Sequence, residues 1–161
     1  MHANNFTAIV ITASDSAARG SRQDASGPRV AELLASKGFR VLRSAVVADD
    51  ADLIAHAIRA AAAEARLVVT TGGTGLGPRD VTPEATRLVC DRVVEGVAER
   101  MRIEGAKNTP LAILSRGICG SLGNSLVLNL PGSPAGASES LTAVIDVLPH
   151  ALDLLRGKTE H

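Results

Sequence analysis

The sequence predicts an α/β domain of three layers, α/β/α, with a mostly parallel sheet and one antiparallel hairpin or edge strand. Short apolar, β-branched runs alternate with segments of helical period, the pattern of crossover units that lay helices on both faces of a parallel sheet. The 161 residues suit one domain, residues 1–161, and would be cramped as two. Near the C-terminal third, two apolar stretches flank a Gly/Ser-rich region with a Gly-Asn turn, which points to a local antiparallel pairing.

Along the chain, Thr7 to Ala13 (TAIVITA) reads as a buried strand. After a polar stretch, Ser26 is placed to cap a helix with Pro28 in its first turn. Val30, Leu33 and Leu34 carry helical spacing to Lys37, and Gly38 stops it. Phe39 to Val47 is a second strand. Asp49-Asp50 opens an Ala-rich helix to about Ala65, with Leu53, Ala57, Ile58 and Ala61 on one face. Leu67 to Thr71 is a third strand that runs into Gly72-Gly73-Thr74-Gly75-Leu76-Gly77-Pro78. Thr82 as cap and Pro83 at the first position start the next helix. A further helix spans about Val94 to Gly105, and Pro110 breaks the chain. Leu111–Leu114 and Leu126–Leu130 are apolar, Gly123-Asn124 is a turn, and Pro131-Gly132-Ser133-Pro134 ends the strand. One closing helix follows from about Ala135 to Leu155.

Composition narrows the function. With Lys+Arg 17 and Asp+Glu 17 the formal net charge is zero, so there is no bulk basic footprint for nucleic acid or anionic lipid. Two Phe and no Tyr or Trp leave no stacking platform for single-stranded nucleic acid. Cys90 and Cys119 form no C-x-x-C pair and no ligand cluster, which argues against zinc and against a disulfide framework. No apolar run approaches a membrane span, and residues 1–6 lack the pattern of a signal peptide. A cytoplasmic protein without a nucleic-acid or membrane partner is expected.

In open α/β sheets, ligands bind beyond the carboxyl ends of the strands. Ser14-Asp15, Asp49-Asp50 and the Gly-rich loop all fall there. The loop's small residues let backbone N–H groups approach an anion, and the helix that follows adds its dipole. It is neither a P-loop, since Gly77 is followed by Pro78-Arg79, nor a dinucleotide fingerprint, whose last glycine comes one residue early. A tight structural turn is the plain alternative. Arg79 can neutralise phosphate charge, and Asp80 can hold magnesium, which binds phosphates through one or two carboxylates. The plain alternatives are a surface ion pair for Arg79 and Asp80 and helix capping for Asp49 and Asp50. Several acids beside a phosphate cradle call for a cation, hence metal-assisted phosphoryl or nucleotidyl transfer.

Thr70 to Thr86, TTGGTGLGPRDVTPEAT, resembles the signature of the MogA/MoaB family of molybdenum cofactor biosynthesis. Further segments match in order: Ala13-Ser14-Asp15-Ser16 with Asp24-x-Ser26-Gly27, Val47-Ala48-Asp49-Asp50 with Ile54, Leu114-Ser115-Arg116-Gly117, and Asn129-Leu130-Pro131-Gly132-Ser133-Pro134. The resemblance covers nearly the whole chain. It implies a molybdopterin-binding α/β/α fold, a homotrimer or sometimes a hexamer. It also implies Mg2+-dependent transfer of AMP from ATP to molybdopterin with release of pyrophosphate, and a MoeA-like molybdate-insertion partner.

By the same resemblance, Asp49 and Asp80 are the catalytic aspartates that bind magnesium, and Asp50 could assist. Gly72, Gly73, Thr74 and Gly75 cradle the nucleotide phosphates, and Ser14 and Asp15 line the same pocket. Ser115 and Arg116 face the pterin side. Asn129, Pro131, Gly132 and Ser133 form a second nucleotide-facing turn. The chain departs from the family at Ala48, where proline is frequent, at Glu95, also a frequent proline, and at Leu122, where a basic residue is frequent. The loss of that basic residue makes a non-catalytic molybdopterin-binding or carrier protein the alternative. Of the histidines, His2 and His161 read as solvated, and His56 and His150 as surface or packing residues on helices. Cys90 reads as a buried small hydrophobe and Cys119 as a hairpin residue that could lie near substrate. Arg19 and Arg22 read as loop residues within reach of an anion.

Overall fold

In a computed structural model, residues 5–159 are described; His2 and His161 lie outside them. Strands β1 (Thr7–Ala13), β2 (Arg40–Val47), β3 (Leu67–Thr71), β4 (Arg92–Val93), β5 (Cys119–Leu122) and β6 (Ser125–Leu130) form one sheet in the order β2-β1-β3-β6-β5-β4. The first four in that order run parallel, and β5 and β4 pair antiparallel at the far edge. The helices are α1 (Asp15–Ala18), α2 (Ser26–Ser36), α3 (Ala51–Glu64), α4 (Thr82–Val89), α5 (Glu95–Ala106), α6 (Pro134–Val144) and α7 (Leu148–Leu155).

The layers follow from strand alternation. Ile9 and Ile11 of β1 point to one face, where they pack with Ile54, Ile58 and Ala61 of α3 and Ala85 and Val89 of α4. Ala8 and Val10 point to the other, against Val30 and Leu34 of α2, Met101 of α5, Leu141 and Val144 of α6 and Leu152 of α7. Central β3 is buried on both faces, which explains its apolar Leu67-Val68-Val69 and the need for Thr70 and Thr71 to pair their hydroxyls with Asn129 and Ser26.

The structure corrects several local expectations. Ser26 does not cap α2. Asp24 accepts from the Gly27 N–H at 3.0 Å, and the Ser26 hydroxyl pairs with that of Thr71 at 2.9 Å. Thr82 lends no side-chain cap to α4, and its Oγ1 is buried without a partner. Asp50 does cap α3, accepting from the Leu53 N–H at 3.0 Å. The core face of α3 is Ile54, Ala55, Ile58 and Ala61, and Leu53 is exposed. Leu111 to Leu114 lies in a 3-10 turn, Pro110–Leu114, rather than an extended segment. The single closing helix is two, α6 and α7, because Pro149 has no N–H for the Ile145 carbonyl. The Gly123-Asn124 turn joins β5 to β6 as expected, with Gly123 at φ +58.

Candidate active site

The carboxyl ends of β1, β2, β3 and β6 meet at the Gly-rich loop. At the end of β3, Gly72 (φ +89) and Gly73 (φ +67) turn the chain in a left-handed conformation. Their contacts leave no room for a side chain. A Cβ on Gly72 would lie 2.4 Å from the Ala13 carbonyl oxygen, and one on Gly73 would lie 2.3 Å from Thr82 Oγ1. The Gly72 N–H donates to the Leu130 carbonyl, which ties the loop to β6. The N–H groups of Gly73, Thr74 and Gly75 donate to no acceptor among the described residues, so three backbone donors remain for an anion.

Arg116 holds this loop. Its Nε donates to Gly75 O and its Nη2 to Asp80 O, both at 2.8 Å, while Nη1 pairs with Glu84. The guanidinium is thereby spent on the loop and is not on a cavity wall, so the structure does not turn Arg116 toward a ligand as expected. Asn129 is buried but does border the larger cavity, with its side-chain amide engaged inside the fold. Its Oδ1 accepts from the Ile118 N–H, and its Nδ2 donates to the hydroxyls of Thr70 and Thr86, each about 3 Å away. We expect Asn129→Ala to strand these partners and destabilise the fold by about 2–4 kcal/mol, read from the urea midpoint.

Two cavities open on either side of the loop. The larger, ≈ 450 Å³, is walled by α5 and the 3-10 turn, with Met101, Leu111, Leu114 and Ser115 among its residues. The smaller, ≈ 380 Å³, is polar and walled by Thr12, Ser14, Asp24, Ser26 and Asp49. Gly73, Asp80, Gly132 and Ser133 belong to both walls. Thr74 and Gly75 face the larger cavity and Gly72 the smaller, while Pro131 borders the larger. Ser133 also caps α6, accepting from the Gly136 N–H at 3.1 Å.

Asp49 and Asp80 are brought to this junction. Asp80 Oδ2 accepts from the Gly77 N–H at 2.9 Å. Asp49 Oδ2 accepts from the Asp15 N–H at 2.9 Å, and its Oδ1 is buried beneath Gly73 with no partner. Burial is the main reason the Asp49 carboxyl titrates above its ordinary value, with the charges of Asp15 and Asp80 adding to it. Asp15 stands behind the wall rather than on it. Hydrogen bonds from Arg79 are the main cause of its lowered pKa. Asp50 is not brought into the set, because its carboxylate is spent on the α3 cap. Among the described residues no three His, Cys, Asp or Glu side chains are grouped to hold a metal. Two carboxylates at an open cradle of amides suit magnesium, which completes its shell with phosphate oxygens and water.

Other expectations fall away from the site. Leu122 lies at the hairpin turn, at the opposite end of the sheet, beside Arg59, Ala62 and Arg66. Its replacement of a basic residue therefore removes no contact here, and Leu122→Lys should leave turnover within about twofold in a steady-state assay. Burial raises the thiols of Cys90 and Cys119 to about 11 and about 12, so neither is a nucleophile at neutral pH. His56 and His150 are exposed on helices, and Arg22, but not Arg19, borders the smaller cavity. The apolar wall of Met101, Leu111 and Leu114, and the Glu84 partner of Arg116, carried no local signal in the sequence.

The chain matches the probable molybdopterin binding domain over residues 9–150. It is 42% identical over 152 residues to a Helicobacter pylori (strain J99) protein named molybdopterin adenylyltransferase, covering 92% of this chain and 86% of that one. It is 50% identical to the molybdopterin biosynthesis enzyme MoaB of Thermus thermophilus, with a TM-score of 0.89 over 95% of this chain and 98% of that one. A Synechococcus elongatus molybdenum cofactor biosynthesis bifunctional protein is 40% identical over 151 residues, which cover 93% of this chain and 47% of that longer protein.

Proposed function

The chain belongs to the family of molybdopterin-binding domains of molybdenum cofactor biosynthesis, and from this we propose that it is a molybdopterin adenylyltransferase. The reaction moves AMP from ATP to the terminal phosphate of molybdopterin and releases pyrophosphate. The observation that carries the proposal is the pair of cavities meeting at Gly73, Asp80, Gly132 and Ser133. A transfer between two substrates needs two sites whose reacting ends touch, and a carrier needs one.

The larger cavity, apolar on its α5 side, suits the pterin, and the smaller polar one suits the nucleotide. The free N–H groups of Gly73, Thr74 and Gly75 would bind phosphate oxygens and hold the α-phosphate at the shared wall. Asp49 and Asp80 would hold magnesium, which supplies charge neutralisation at the transferring phosphorus when bound. Arg116 keeps the loop in register through the Gly75 and Asp80 carbonyls, so the donors are pre-set before substrate arrives. The carrier alternative has lost the residue that favoured it, since Leu122 is remote from the cavities.

The family resemblance supports a homotrimer or hexamer, a cytoplasmic setting and a MoeA-like molybdate-insertion partner. Ile103, Leu111 and Ile113, at 55, 70 and 64% exposure, provide apolar surface for contact between copies. No described helix is long and apolar enough to cross a membrane. The decisive experiment incubates the protein with molybdopterin, ATP and magnesium and follows pyrophosphate and the mass of the pterin product. Adenylylated product that requires all three is the expected result. Tight pterin binding with no product would instead select the carrier.

A further inference from the structure

We infer that Arg79 is a positioning residue, acting through Asp15 to hold Asp49 against the glycine-rich loop and so to set Asp49 relative to Asp80. Its catalytic readout rests on the proposed function; its structural readout does not.

The connections are all direct. Arg79 donates from Nε to Asp15 Oδ2 and from Nη2 to Asp15 Oδ1, each at 3.0 Å, a bidentate fork. Asp15 Oδ1 also accepts from the Asp49 N–H at 3.0 Å, and the Asp15 N–H donates back to Asp49 Oδ2 at 2.9 Å. The two aspartates thus lock the ends of β1 and β2 to each other. With Oδ2 held in this way, Asp49 Oδ1 is turned under Gly73. Arg79 reaches this lock from the loop itself, next to Asp80, whose Oδ2 is pinned to the Gly77 N–H. One guanidinium, through Asp15, therefore links the segment that carries Asp80 to the segment that carries Asp49.

A phosphate-binding role for Arg79 fits less well. Its side chain borders neither cavity, and its fork is already engaged with a carboxylate. Nor is the pair a device for stability. The Arg79 side chain is 64% exposed, and ion pairs of that kind add little to folding. What the fork provides is geometry, and small displacements of catalytic groups are costly in rate.

The test compares wild type, Arg79→Ala, Asp15→Ala and the double variant. In Arg79→Ala we expect kcat to fall about tenfold, with the KM for ATP within about twofold and the melting temperature nearly unchanged. On the Asp15→Ala background, Arg79→Ala should cost little further, because its hydrogen-bonded route to Asp49 is gone and only the charge interaction between exposed Arg79 and Asp49 remains. A raised KM for ATP, or an equal loss on the Asp15→Ala background, would show direct contact with substrate and overturn the inference. Amide hydrogen exchange at Asp15 and Asp49, measured without ligand, is expected to be about fivefold faster in Arg79→Ala. Unchanged exchange would reduce the pair to a surface ion pair and overturn the inference whatever the kinetics. A wild type that forms no product but shows the expected exchange change would count against the proposed function and not against the clamp.

Discussion

Asp80→Asn should lower kcat about 10²–10³-fold and leave the fold intact. The two effects separate because the carboxylate has two duties. One oxygen accepts from the Gly77 N–H at 2.9 Å, and an asparagine carbonyl can take over that bond. The loop keeps its other anchors as well, since Arg116 holds the Asp80 carbonyl from the main chain. The negative charge has no replacement. Asp80 lies on the wall common to both cavities, where the phosphates of the two substrates would meet and where a cation needs an anionic ligand. The measurement is product formation at saturating magnesium, beside a melting curve that should match wild type within about 2 °C. Full turnover in this variant would remove Asp80 from the chemistry.

Gly72→Ala should destabilise the protein by about 2–4 kcal/mol and abolish turnover even where the chain remains folded. The added methyl would sit 2.4 Å from the Ala13 carbonyl oxygen, a main-chain atom at the end of central β1 that no rotamer change can move. The backbone at φ +89 is itself unfavourable for a residue with a Cβ. Relief requires lifting the loop off β1, which displaces the amides of Gly73, Thr74 and Gly75 together. Gly20→Ala is the matched control. It has φ +75 but nothing within 4 Å of its added Cβ, so it carries the conformational cost alone, about 1 kcal/mol. Urea titration of both variants separates the two contributions. Equal losses would mean that contact with Ala13 is unimportant.

Much of the architecture was legible because its signals are local. Thr7 to Ala13 and Leu67 to Thr71 coincide with β1 and β3, since a strand buried on both faces is mostly apolar and β-branched. The Gly123-Asn124 turn was readable because a tight hairpin needs a residue tolerant of positive φ. Where local signals competed, the outcome depended on neighbours. Ser26 is as good a cap as Asp24 by residue type, but its hydroxyl is drawn to Thr71, 45 positions away. Leu53 and Ile54 are both apolar on α3, and only the direction of the sheet decides that Ile54 is buried. The break between α6 and α7 was marked by Pro149, yet the unbroken apolar spacing around it concealed the stop.

The site divides in the same way. Residue order alone determined which segments would lie at the carboxyl ends of the strands, because a parallel sheet with crossover helices places every such loop at one end. It also determined that the third loop would be glycine-rich enough to present bare amides. Tertiary structure decided which side chains face the ligand space and which brace it. The Arg116 guanidinium is spent on Gly75 and Asp80, and that of Arg79 on Asp15, 64 positions distant, while Asn129 borders the larger cavity with its amide bonded to Thr70 and Thr86. Leu122, whose missing basic residue was the ground for the carrier alternative, lies at the other end of the sheet. The physical reason is that a donor's role is set by the nearest acceptor in space. Buried or half-buried polar groups bond to whatever the packed fold brings within about 3 Å, and that distance is not encoded by position along the chain.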